Sequence, residues 1–202
     1  AGSTVAITEA SAMSLAASEA TGALSLTASG AITQTGAIDA DGTSSIAAGA
    51  NAITLDAAND FTGAVSLSNT GANDVSITDS NALDLGTVDV GQNLTITTGG
   101  TLSDSATVSV PGLATIVATG QTVILGDSTT ANFGSLDFAG AAVTITEDSA
   151  MEIAASEATG ALSLTASGAI TQTGAIDADG TSSFSAGANT ITLTQANDFT
   201  GA

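Results

Sequence analysis

The sequence predicts an all-β protein, a parallel β-helix (β-solenoid) of about nine coils of roughly 20–23 residues each. Three observations carry this expectation. A long segment of the chain repeats itself. The local hydrophobic period is two. No helical spacing of i, i+3, i+4, i+7 is sustained anywhere.

The repeat comes first. "SEATGALSLTASGAITQTGAIDADGTSS" runs over 18–45 and returns letter for letter over 156–183. Residues 1–64 align with 139–202 without a gap, with 53 identities and 11 differences. The chain therefore reads as one continuous solenoid segment, 1–202. It holds a cassette, 1–138, and a partial second copy, 139–202. A weaker echo of about 68–70 residues divides the cassette, because "VSITDSNALDLG" (75–86) matches "VTITEDSAMEIA" (143–154) in its apolar positions. The kept feature is the apolar position and not the residue, as when one backbone geometry is reused under different decoration.

The strands come next. "TVSV" (107–110), "VTIT" (143–146), "ALSL" (161–164) and "TITLT" (190–194) alternate apolar with small polar residues, as strands with one buried face do. Gly, Asn and Asp punctuate them and tolerate sharp turns. Pro111 sits between two strand-like runs. Cuts at Gly22, Gly42, Gly91 and Gly112 give about three coils of roughly 23 residues per half-cassette, and a rod roughly 40 Å long at the ~4.8 Å strand spacing. A β-sandwich is the rival, but it wants strands of five or six residues and hairpin turns. Substitutions between the copies set the register. Leu15, Ile46, Ile53 and Leu55 stay apolar and point inward, whereas Ser14, Ala52 and Asp56 change freely and face water. The expected inward ladder includes Val5, Ile7, Leu24, Leu26, Ile53, Leu55, Val75, Ile77, Leu94, Ile96, Val123 and Leu125.

Composition narrows function. Twenty Asp and Glu face no Lys, Arg or His, for a formal charge of −20. Phosphate backbones and anionic membrane surfaces are repelled, so no nucleic acid is expected as a partner. No run reaches the ~18 apolar residues of a membrane span, so no membrane insertion is expected. Cys, Trp and Tyr are absent, and the five aromatics are all Phe. Enzymes that need an imidazole, ammonium, thiol or phenol lack their reagent. Carboxylate pairs that hydrolyse glycosides remain chemically conceivable, but the acids here recur in copies with no singular cluster. No catalytic, cofactor-binding or metal residue is assigned, and no enzyme activity is expected.

Three motifs could carry more than architecture. "DADG" (39–42 and 177–180) spaces two carboxylates as calcium loops do, without the distal Glu of the full pattern. It reads first as a polar turn, with calcium as a loosely held counterion and no dedicated cofactor. Thr33/Thr35, Thr95/Thr97, Thr144/Thr146 and Thr190/Thr192 are similar to ice-binding solenoid faces, but β-branched residues suit any exposed strand. Asn59, Asn132 and Asn197 precede Phe61, Phe133 and Phe199, a pattern expected to give stacked Asn turns and Phe plugs at a corner.

"GAITQTGAIDADG", "NAITLDAANDFTGAVSLSNTGANDVSITDSNALDLGTV" and "GQNLTITTGGTLSDSATVSVPG" resemble the repeat tracts of filamentous-haemagglutinin-type bacterial exoproteins, often exported by two-partner secretion. The resemblance covers essentially the whole chain and implies a right-handed β-helical shaft, export across an outer membrane, and a role in adhesion, aggregation or biofilm; a sheath or filament built by end-to-end stacking is the structural reading. The expected setting is secreted, extracellular or at the cell surface. Expected partners are further copies, end to end and laterally, with any surface or carbohydrate receptor met by regions outside this segment. Both ends read as cuts, since "FTGA" at 199–202 continues in the first copy as "VSLSN" from Val65. A fibre built of such segments and a stalk presenting a separate binding tip stay open.

Overall fold

Each strand of this chain stacks in parallel on one about 20 residues earlier, and every strand pair among the described residues is parallel. A computed structural model describes residues 3–127 and 129–201. The described residues form 24 strands and about ten turns of a β-solenoid. Val5 lies under Leu24, Leu24 under Ser44 and Ser44 under Val65, steps of 19, 20 and 21 residues. The coils are thus tighter than the 23 residues suggested by the glycine spacing.

Each coil has one long side and two short ones. In the first half-cassette the long side is built by Val5–Glu9, Leu24–Ala28 and Val65–Ser68, and the short sides by pairs such as Met13–Leu15 with Ser18–Ala20. Alternation decides what is buried. In Leu24–Ala28 the side chains of Leu24, Leu26 and Ala28 are buried and Thr27 is exposed. In Ile38–Ala40 the outer two are buried and Asp39 is exposed. Neighbouring coils repeat this pattern in register, so inward side chains fuse into one core that includes Phe61 and Phe138. Burying each Leu or Ile contributes roughly 1.5–3 kcal/mol, which a chain without Cys, Lys, Arg or His depends on.

The half-cassettes do not stack in phase. The long strand Val75–Asp79 opens the second half. Val75 and Ile77 lie over Ile53 and Leu55, one short side, while Asp79 lies over Asn59, the next. In return, Leu85 and Val88, from two successive sides, lie over Val65 and Leu67 of a single long strand. The same exchange recurs at the next boundary. Val143 and Ile145 lie over Val123 and Leu125, while Ile153 and Glu157 lie over Leu136 and Ala139 of one long strand. A half-cassette is therefore about three and a half coils, and each half is turned by half a revolution from the last. Two halves restore the phase. The column Met13, Ile32, Ile53, Val75, Leu94, Ala114, Leu136, Ile153 takes seven steps to return to the position equivalent to Leu15.

The expected inward ladder is buried from Leu24 through Leu125. Its first two members differ. Val5 is half-buried and Ile7 is 39% exposed, because the first described coil has a neighbour on one side only among the described residues. For the same reason Phe199, expected as a core plug, is 39% exposed and rests edge-on against Phe184 at 5.6 Å, whereas Phe61 and Phe133 are buried. Leu15, Ile46, Ile53 and Leu55 are buried and Ser14 and Asp56 exposed, as the substitutions required; Ala52 is intermediate.

Candidate functional site

Outward side chains form columns as strictly as inward ones do. On one edge Glu19, Asp39 and Asp60 sit on three consecutive coils in direct register. Seven coils further along the same edge, Glu157, Asp177 and Asp198 repeat the triad. Below Glu157 the column runs back through neutral Ala139, Val117, Thr97 and Thr78, and there the register shifts, since Asp79 lies over Asn59. The in-phase cassette produces this spacing. In the intervening half-cassette the equivalent positions are Asp89, Ser109 and Asn132, stacked in register over the opposite, long side. With carboxylates about 4.8 Å apart and no cation in the chain, like charges press on one another. The Asp39 carboxyl is held above its usual range by loss of surrounding water, then by Asp41, Asp60 and Glu19.

A second outward column is uncharged. Ser14, Thr33, Thr54, Ser76, Thr95 and Thr115 stack without a break, and the column then meets Asp137, whose carboxyl is raised by burial. Beside it Thr35 flanks Thr33, and Thr78 and Thr97 stack on each other before Val117. Thr144 and Thr146 stand on a different side, over the Val123–Leu125 strand. The Thr-x-Thr pairs therefore do not line up into one flat face.

The interior holds a polar device that alternation alone could have revealed. In "ITQ" the inward positions are Ile32 and Gln34, so Gln34 is turned toward the core. It meets Asn59, which stands on the next coil and is fully buried. The Gln34 Nε2 donates to Asn59 Oδ1 at 2.8 Å, and the Asn59 Nδ2 donates to Gln34 Oε1 at 3.1 Å. Asn59 Oδ1 also accepts the Ile38 N–H at 2.8 Å, and its Nδ2 donates to the Leu55 and Thr78 carbonyls at 3.0 and 2.9 Å. Gln172 and Asn197 repeat the reciprocal pair at 2.7 and 3.0 Å. In the middle half-cassette Asp104 and Thr129 take these two places; Thr129 donates to Asp104, which also accepts the Gly126 N–H at 2.8 Å. The sequence pattern suggests stacked Asn turns. Asn59 and Asn197 are instead cross-coil clasps, and Asn132, one residue before Phe133, takes no such part and is half-buried.

Two carboxyls are buried at the half-cassette boundaries. Asp79 and Glu147 each end the long strand that opens a half-cassette, at positions equivalent to Glu9. Asp79 Oδ1 accepts the Phe61 N–H at 3.4 Å. Glu147 Oε1 accepts the Phe133 N–H at 3.1 Å and the Ser149 hydroxyl at 2.8 Å. The other oxygen of each is buried without a hydrogen-bond partner. Burial pushes Asp79 up to about 6, opposed by backbone N–H groups, and raises Glu147 likewise.

"DADG" resolves into strand and turn: Asp39 faces out from Ile38–Ala40, and the Asp41 N–H donates to the Ala20 carbonyl at 3.0 Å as the chain leaves the strand. Among the described residues no group of three or more acidic, His or Cys side chains is arranged to hold a metal ion. No helix among them is long and apolar enough to cross a membrane. A family model described as repeats of unknown function (DUF5649) matches residues 2–68, 72–137 and 140–202. No curated protein and no solved structure matches the chain.

Proposed function

This chain belongs to the DUF5649 family of repeats, and we propose that it is a structural segment of a secreted bacterial cell-surface fibre, without catalysis. Three matched stretches correspond to three successive half-cassettes. What carries the reading is recurrence: acidic triads and Gln–Asn clasps come back at the cassette interval. A catalytic or receptor site is normally one place on a molecule, whereas a scaffold is the same everywhere along its length. The absence of Lys and Arg removes every trypsin-type cleavage point, which suits an exposed shaft. The resemblance to filamentous-haemagglutinin-type tracts supports export and adhesion or biofilm roles for the parent fibre, with any receptor-binding tip lying elsewhere.

Self-association follows from the surface. Rods carrying carboxylate triads and no cations repel within the ~10 Å screening length of 0.1 M salt, so lateral contact needs bridging divalent cations or acid. Immunogold electron microscopy of intact native cells tests the reading. Gold is expected along fibres outside the cell, in bundles that chelator at low salt loosens into single rods. Label confined to the cell interior, appearing only after permeabilisation, would overturn it.

A further inference from the structure

We propose that Asp79 and Glu147 are proton-operated fasteners between successive half-cassettes: protonation tightens each boundary, and ionisation loosens it. The geometry carries this. Each side chain is essentially inaccessible, at 1% and 0% exposure. Each uses one oxygen to accept the backbone N–H of a Phe near the end of the preceding half-cassette, Phe61 or Phe133. Each leaves the second oxygen buried and unpartnered. An ionised carboxylate in that position costs free energy unless a cation or several donors answer it. No Lys, Arg or His exists in the chain to do so.

The surroundings reinforce the direction. The coil below Asp79 contributes Asn59 and Asp60, the coil above contributes Thr98, and Asp60 is the charged group that acts on it, disfavouring ionisation. The coil below Glu147 contributes Phe133, the coil above contributes Ala166, and the neighbouring Asp148 acts in the same sense. The N–H groups of Phe61, Asn81 and Ser80 at Asp79, and the Phe133 N–H and Ser149 hydroxyl at Glu147, pull the other way and do not cancel burial. The sign follows. The unfolded Asp79 keeps its ordinary value of 3.8 and the folded one titrates near 6. Between those values the folded state binds the extra proton. Its stabilisation is complete below 3.8 and is lost as pH rises through about 6. Glu147 acts in the same direction.

The device differs from the acid dependence expected of bundling, because it lies inside a single rod. Hydrogen exchange on the whole chain, kept dilute and free of divalent cations, tests it. After correction for intrinsic exchange, protection of the Phe61 amide is expected to rise between about pH 7.5 and 5, approaching roughly tenfold per pH unit below about pH 6, and protection of the Phe133 amide is expected to rise on acidification in the same direction. The D79N/E147Q double variant keeps the acceptor oxygens and removes the charges. It is expected to be more protected than wild type at about pH 7.5 and to have lost the local pH response. An E19Q/D177N variant, with the same number of charges removed from the surface triads, should keep that response. Wild-type protection at Phe61 and Phe133 that stays flat or falls on acidification overturns the proposal. So does a surface variant that abolishes the response as fully as the boundary variant.

Discussion

Replacing Asn59 by alanine is expected to cost the coils around it about 3–4 kcal/mol, near the upper end for single substitutions. The loss is not of volume alone. Asn59 answers the Gln34 amide, the Ile38 N–H and the Leu55 and Thr78 carbonyls at once. Removing it strands these groups, and a stranded buried donor or acceptor costs roughly 1–3 kcal/mol where water cannot follow. The control is Asn51, which bonds the Ser29 and Ala48 carbonyls from a partly exposed turn. Water can replace Asn51, so its alanine variant should lose about 1 kcal/mol or less. Urea unfolding with amide exchange around Ile38 and Leu55 distinguishes them. Equal losses for the two variants would show that the clasp does not hold the coils.

Alanine at Gly42 is expected to be comparably damaging for the opposite reason. Gly22, Gly42 and Gly63 occupy one corner on successive coils, and Gly160, Gly180 and Gly201 repeat the column. A Cβ on Gly42 would stand 2.5 Å from the Gly22 carbonyl carbon and 2.6 Å from the Ala23 nitrogen. Both are backbone atoms. They cannot retreat without opening the bonds from Gly42 N–H to Gly22 O and from Asp41 N–H to Ala20 O. Such wedging costs about 3 kcal/mol. Gly120 provides the comparison. Its φ of 75° disfavours a side chain, but nothing lies within 4 Å of its Cβ direction, so alanine there should cost about 1–2 kcal/mol. Thermal unfolding of the two variants decides. A Gly42 variant as stable as the Gly120 variant would mean that the corner is looser than the stacking requires.

The parallel solenoid and its inward residues are legible in the sequence because alternation is local. Leu24 and Leu26, or Val75 and Ile77, announce their face within five residues. The half-turn between halves is not legible. It depends on the number of sides per coil, and the short third side is hidden. "SEA" at Ser18–Ala20 and "IDA" at Ile38–Ala40 look like polar turn material, yet Ala20 and Ala40 are buried strand residues. Reading them as turns stretches the coil to roughly 23 residues and leaves the phase undefined. The clasps are concealed for a related reason. Gln34 and Asn59 are each ordinary polar residues, and only stacking at 25 residues' separation joins them. The middle half-cassette conceals the pattern further by using Asp104 and Thr129. The acidic triads need the same knowledge, since Glu19, Asp39 and Asp60 meet only once the coil length is known.

The central claim is that the chain is one parallel solenoid in which each half-cassette is set half a turn from the last. Nitroxide labels on cysteines introduced at Thr54 and Ser76 test it most directly, in a chain with no cysteine of its own. These residues are direct partners across the first boundary, where the new long strand mounts the previous short side. Labels at 54 and 76 are expected to show the strong spin–spin broadening of neighbours about 5 Å apart, while labels at Ser66 and Ser76 are not. Broadening for 66 and 76 with none for 54 and 76 would place those strands side by side as a hairpin, and would contradict both the solenoid and its half-turn.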